Sequence, residues 1–246
     1  MQPLLYAAGF LIFLLIAHQI VRRYQIIAWI VFLLGPFLLL PLALHQPSSD
    51  FVWLKVYSVC LGTCWLLACR YSLLGQKNWA LWILWAFFAV NILEAVTEGF
   101  LVGNIINYIC CIPGILLFLT LPPPKEINVD TQPIRDLLWN TPMMWIIGYS
   151  LWNWTFVYVT WPEFGIRHVA VLLASLLIGF IDNKLWIQSR ALILGIYLLI
   201  HFSYDAVLKP MDLTNVYNFP LAMSAAIFVT IWMIIYFVRF ISHKKN

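Results

Sequence analysis

Residues Trp79–Phe100 read WALWILWAFFAVNILEAVTEGF. The first part, Trp79–Val90, has no charge, amide or hydroxyl; Asn91, Glu94 and Glu98 then follow. A run this apolar suits a helix of ~20 residues crossing a bilayer. On such a helix the spacing 0, +3, +7 places the three polar residues on one stripe. A carboxylate facing lipid at mid-bilayer costs ~2.5–3.5 kcal/mol or more. The stripe is therefore expected to face protein or water.

The rest of the chain has the same character. Of 246 residues, 63% are hydrophobic and only 10% charged, against ~45–50% and ~25% in soluble domains. A soluble fold of this length cannot hide that much apolar surface. The expectation is an all-α, polytopic transmembrane bundle forming a single integral membrane domain over residues 1–246. A net charge of +4, dispersed between apolar runs, points to topology and not to nucleic acid. Membrane lipid is the expected partner. The first run, Pro3–Ile20, lacks a basic start and a following cleavage site, so it reads as a retained helix.

Cys60, Cys64, Cys69, Cys110 and Cys111 all lie in apolar runs. They read as buried thiols without a metal frame or a disulfide framework. No metal is expected, and the sequence specifies no cofactor.

About nine spans are expected, near 3–21, 26–44, 51–69, 79–97, 101–121, 137–160, 166–181, 186–208 and 219–241. The seventh and eighth either cross as a tilted hairpin or re-enter. The longest polar segment, Pro122–Asp136, reads as a proline-stiffened linker. Alternate connections carry Arg22, Arg23, Arg70, Lys77, Lys125, Arg135, Lys184, Arg190, Arg239, Lys244 and Lys245; the others carry only Arg167 and Lys209. By the positive-inside rule, the N-terminus is expected outside and the C-terminus in the cytoplasm.

With that orientation, polar groups from five spans reach one outer depth: Lys55; Asn91 and Glu94, with Glu98 at the mouth; Asn104 and Asn107; Tyr149, Asn153 and Tyr158; and Tyr197, His201, Tyr204 and Asp205. A polar pocket above an apolar plug is the expectation. Lys55 either snorkels to outer headgroups or pairs with Glu94. The asparagines read as interhelical glue or ligand contacts. His201 and Asp205, four apart, form a pair suited to proton transfer or to structure. Ser72, Asn140, Gln188 and Arg190 are expected near the inner interface. Trp53, Trp79, Trp139, Trp161 and Trp186 read as aromatic belt. Trp152 and Trp154 read as pocket walls. Gly35-Pro36, Pro41 and Pro113-Gly114 are expected to bend their helices. His45, His168 and His243 fall near span ends.

The stretches WLKVYS (Trp53–Ser58), NILEA (Asn91–Ala95), LWNWTFVY (Leu151–Tyr158) and WIQSRA (Trp186–Ala191) resemble a bacterial membrane family known as domain of unknown function 5692. The resemblance implies that Lys55, Asn91, Glu94, Asn153, Tyr158 and Arg190 belong to the family pattern. It implies no activity. The first functional expectation is a transporter or binder of a small solute or ion in a bacterial inner (plasma) membrane. Glu94 would be its ionisable centre. A membrane-embedded enzyme acting on lipid-linked or periplasmic substrates and a structural complex subunit are the alternatives.

Overall fold

The computed structural model describes residues 2–43, 50–212 and 217–245; His45 lies outside them. The chain is helical almost throughout. Its elements are α1 (Gln2–Arg23), α2 (Gln25–Trp29), a π turn (Ile30–Leu34), α3 (Gly35–Ala43), α4 (Asp50–Tyr71), α5 (Asn78–Val102), α6 (Ile105–Leu119), β1 (Ile127–Val129), β2 (Leu137–Trp139), α7 (Met143–Thr160), α8 (Gly165–Ile181), α9 (Trp186–Ser203) and α10 (Phe219–Lys245). Among the described residues, five helices are long and apolar enough to cross a membrane: Gln2–Arg23, Asn78–Val102, Pro162–Ile181, Asn183–Ser203 and Phe219–His243. Four of them carry exposed large apolar side chains on their outer faces, whereas Asn183–Ser203 is mostly buried. The chain is a membrane protein built as a helix bundle.

Helix ends follow local chemistry. The π turn stands directly before Gly35-Pro36, where proline withdraws a helical N–H and the hydrogen-bond ladder must widen or break. Between α5 and α6, Gly103 adopts φ +74°, and the Asn104 side chain then accepts the Asn107 N–H at 2.9 Å. These are a left-handed stop followed by an N-cap.

Several expected boundaries shift: α5 runs on to Val102, past its expected end near 97, and α6 begins at Ile105 and not near 101. The sixth apolar run does not begin a helix at 137. Leu137–Trp139 instead pairs antiparallel with Ile127–Val129, Ile127 opposite Trp139, so the expected linker is in part a β-hairpin. Pro142 precedes α7 and disfavours helix before it. Leu137 and Trp139 are fully buried, which satisfies their apolar surface without lipid. The eighth run ends at Ser203 and not at 208, with Asp205–Val207 in a separate short turn.

α7 is the hub. From Trp145 to Val159 nearly every side chain is buried, because α5, α6, α8 and α10 pack around it. Helices α1, α8 and α9 contact one another, and α4 packs on α9. At one end of the bundle Asp136 ties three helices together. Arg22 of α1 donates to both its carboxylate oxygens, at 2.9 and 2.6 Å, and Gln188 of α9 donates at 2.7 Å. Arg70 of α4 lies 3.6 Å away and donates to the carbonyls of Arg22, Ile134 and Arg135. Burial alone would raise the Asp136 carboxyl, but the Arg22 and Gln188 hydrogen bonds and two nearby guanidinium charges hold it below its usual value.

The tryptophans depart from a simple belt. Trp79 is exposed, but Trp139, Trp145 and Trp186 are fully buried. They pack edge and face around Phe88 and Tyr149. This aromatic plug fills the bundle between the Asp136 cluster and the polar residues of the next section.

Candidate functional site

Helices α4, α5, α7, α8 and α9 leave a chamber of about 110 Å³ between them. Its polar lining is Lys55, Asn91, Asn153, His168, Arg190, Tyr197 and His201; Phe51, Phe156, Val157, Trp161, Phe164, Leu194 and Leu198 supply apolar wall. A second space of about 50 Å³ shares Asn91, Arg190 and Leu194 with it and reaches Phe88, Trp139 and Tyr149 of the plug.

Lys55 and Glu94 form the first element of the site. Lys55 Nζ lies 2.8 Å from Glu94 Oε2 and donates to the Asn91 carbonyl at 2.7 Å. Ser58 Oγ donates to Glu94 at 3.3 Å. Both charged side chains are nearly buried, at 14% and 10% exposure. Each ion would be costly alone at that depth; the pairing and the hydrogen bonds offset that cost. Glu94 stands behind Lys55 and does not line the chamber.

Asn153 is the second element. Its Oδ1 accepts from Arg190 Nη2 at 3.1 Å and meets His168 Nε2 at 2.5 Å. An amide oxygen only accepts, so the His168 proton on this side sits on Nε2. Arg190 is 2% exposed. Its Nε and Nη1 have no protein acceptor among the described residues. Its guanidinium stands over the Tyr149 ring at 5.8 Å.

The third element lies at the start of α8 and the end of α9. Arg167, fully buried, binds both oxygens of Asp212 and donates to Asp205 at 2.6 Å. It stacks over Phe164 at 4.7 Å. His201 Nδ1 meets Asp205 Oδ1 at 2.8 Å. Burial would raise the Asp205 carboxyl; hydrogen bonds and charge from Arg167, aided by His201, hold it below the ordinary range.

Of the residues singled out from sequence, the structure brings Lys55, Asn91, Asn153, Tyr197 and His201 to one chamber. Glu94 stands one contact behind, and Asp205 joins through His201. The others lie elsewhere. Glu98 is half-exposed one turn beyond Glu94. Asn104 caps α6, and Asn107 is buried on α6, a helix that packs on α5, α7 and α10. Trp154 stacks on Tyr158 at 5.2 Å and donates to the Gly165 carbonyl. Tyr158 accepts the Asn218 N–H and packs with Ala222 and Ala226 of α10. The reason is helical geometry. Positions +3 and +4 from Asn153, which are Phe156 and Val157, share its face; +1 and +5 turn away.

Three corrections run the other way. Arg190 is not near-interfacial: its long side chain carries the charge inward to the level of Asn153. His168, read as a span-end histidine, is buried in the chamber wall. Trp161, read as belt, lines the chamber. For Arg190 the family resemblance carried a signal, whereas composition and spacing carried none. Arg167 gave a faint one, as a lone cation in a connection otherwise poor in charge.

No curated protein and no solved structure matches the chain. The family model described as Family of unknown function (DUF5692) matches residues 1–246. Four of the stretches that resemble it carry Lys55, Asn91, Glu94, Asn153 and Arg190, which the fold gathers at or beside the chamber. The chain belongs to the DUF5692 family.

Proposed function

We propose that the protein binds a small solute in the chamber between α4, α5, α7, α8 and α9, and that it carries this solute across a bacterial inner membrane. In this reading the chain crosses about nine times, with the N-terminus outside. The chamber then opens to the extracytoplasmic side, past Arg167, His201 and Asp205. One observation carries the proposal: Lys55, Asn91, Asn153, His168 and Arg190 come from five different helices, yet all line one chamber. Helix packing alone does not need two cations and two amides around a cavity, since buried polar groups are costly there. Two further features support an alternating site. The pair Lys55–Glu94 can exchange partners when a ligand or proton arrives. The Asp136 cluster and the aromatic plug close the opposite end.

Thiol accessibility tests this reading. Val157 lines the chamber, and four of the five native cysteines, all but Cys64, are buried. Val157→Cys, with Cys64 replaced by Ser, should react with a membrane-impermeant maleimide in right-side-out vesicles and not in inside-out ones. Labelling only from the cytoplasmic side, or from neither side, would remove the proposed access route.

A further inference from the structure

The charges around the chamber are unequal. Lys55 is answered by Glu94 at 2.8 Å, and Arg167 by Asp205 and Asp212. Arg190 is answered only by a neutral amide, Asn153. Among the described residues no carboxylate makes an ion pair with it, and its Nε and Nη1 find no protein acceptor. Yet it is 2% exposed and lies in the wall of both spaces. A guanidinium stays protonated in proteins, so this is a permanent buried cation with unused donors. Such a group favours an anion over water or a neutral solute.

The surroundings narrow the class. One unanswered charge calls for one negative charge. Much of the remaining wall is apolar and largely aromatic: Phe51, Phe156, Trp161, Phe164 and Leu198. The volume, about 110 Å³, is smaller than the ~150 Å³ apolar cavity that holds benzene, though it adjoins the second space. A bare chloride would leave the wall unused, and a phosphate dianion would exceed the free charge. Resting on the chamber reading above, we infer that the ligand is a small monocarboxylate with a short apolar or aromatic tail, its carboxylate received by Arg190.

The experiment uses purified full-length protein in detergent and follows its melting by tryptophan fluorescence. Butyrate and benzoate are compared with butyramide and benzamide, and with chloride and inorganic phosphate at equal ionic strength. The acids should raise the melting temperature by about 2–4 °C at saturation; the amides and inorganic anions should not. Arg190→Lys should weaken acid binding at least tenfold. Asn153→Asp supplies Arg190 with an internal counter-ion, so this variant should melt no lower than wild type and lose the response to acids. Equal protection by acids and amides would overturn the anionic class while leaving the chamber reading intact. So would an absence of any response in protein whose Val157→Cys variant still labels from outside. Greater protection by chloride or phosphate than by butyrate would overturn the monocarboxylate. An undiminished acid response in Asn153→Asp would remove Arg190 as the receptor. Should Val157→Cys fail to label while acids still protect, the access route falls and the ligand class stands.

Discussion

Lys55 of α4 and Glu94 of α5 meet at 2.8 Å, with 14% and 10% of their side chains exposed. Such a pair is asymmetric in its energetics. Removing one partner strands the other charge in a dry site, at a cost of about 3–5 kcal/mol; removing both is far milder. Lys55→Met should therefore lower the melting temperature sharply. Lys55→Met combined with Glu94→Gln should recover much of the loss, with a coupling above about 1 kcal/mol. Additive losses in this double-mutant cycle would show that the two charges are independently solvated.

The bundle end holds a second testable cluster. Asp136 gathers Arg22, Arg70 and Gln188, so Asp136→Asn should cost about 3 kcal/mol at neutral pH. The sign of the pH dependence follows from its lowered carboxyl pKa. In the unfolded chain it titrates near 3.8, and in the folded one below that. The stabilisation is complete above pH ~3.8 and is lost as pH falls through the folded value. Melting curves of wild type and variant should stay apart at pH 5–7 and converge only in stronger acid. A gap that closes near pH 6 would assign the effect to another group.

Close packing at α6 makes a third case. A Cβ added at Gly114 would stand 2.5 Å from Val96 Cγ2 and 2.8 Å from Trp152 Cζ2. Trp152 cannot easily retreat, because its Nε1 donates to the Cys110 carbonyl at 2.8 Å. Gly114→Ala should cost about 1–3 kcal/mol and alter the near-ultraviolet circular dichroism of the tryptophans. An unchanged spectrum and melting temperature would mean that α6 can slide at this contact.

Arg167 provides a fourth. Its planar fork binds both oxygens of Asp212 while Nη1 reaches Asp205. Lysine keeps the charge but not the fork. Arg167→Lys should lower stability by about 1.5–3 kcal/mol and loosen the turns after α9, read as faster amide exchange over residues 204–212. Unaltered exchange there would show that those turns hold without the fork.

How far the sequence reveals this arrangement depends on the residue. Helices are legible because each apolar run is long and most breaks carry Gly, Pro or a capping Asn or Asp, as at Gly103-Asn104 and Asp182. Depth counting along α4 and α5 places Lys55 beside Glu94, because both side chains act close to their own Cα. Arg190 defeats the same counting. Its Cα lies one turn from the start of α9, but its side chain runs inward, opposite to the usual snorkelling direction. His168 is hidden for a related reason: which face of α8 meets Asn153 is fixed by packing between helices and not by spacing within one. The strand at Leu137–Trp139 is obscured because its residues are as apolar as the helix that follows.

The burial of α7 also bears on how the chain is made. The ribosome releases α7 before α8, α9 and α10, and all three touch it: α8 and α10 pack along it, and Arg190 and Trp186 of α9 reach Asn153 and Tyr149. A nascent chain that ends at Thr160 would present Tyr149, Ser150 and Asn153 with only α5 and α6 to shelter them. The hub is thus synthesised ahead of much of its own enclosure, and α10, emerging later, completes its shelter. Biogenesis must keep α7 in a protected setting until α10 has emerged.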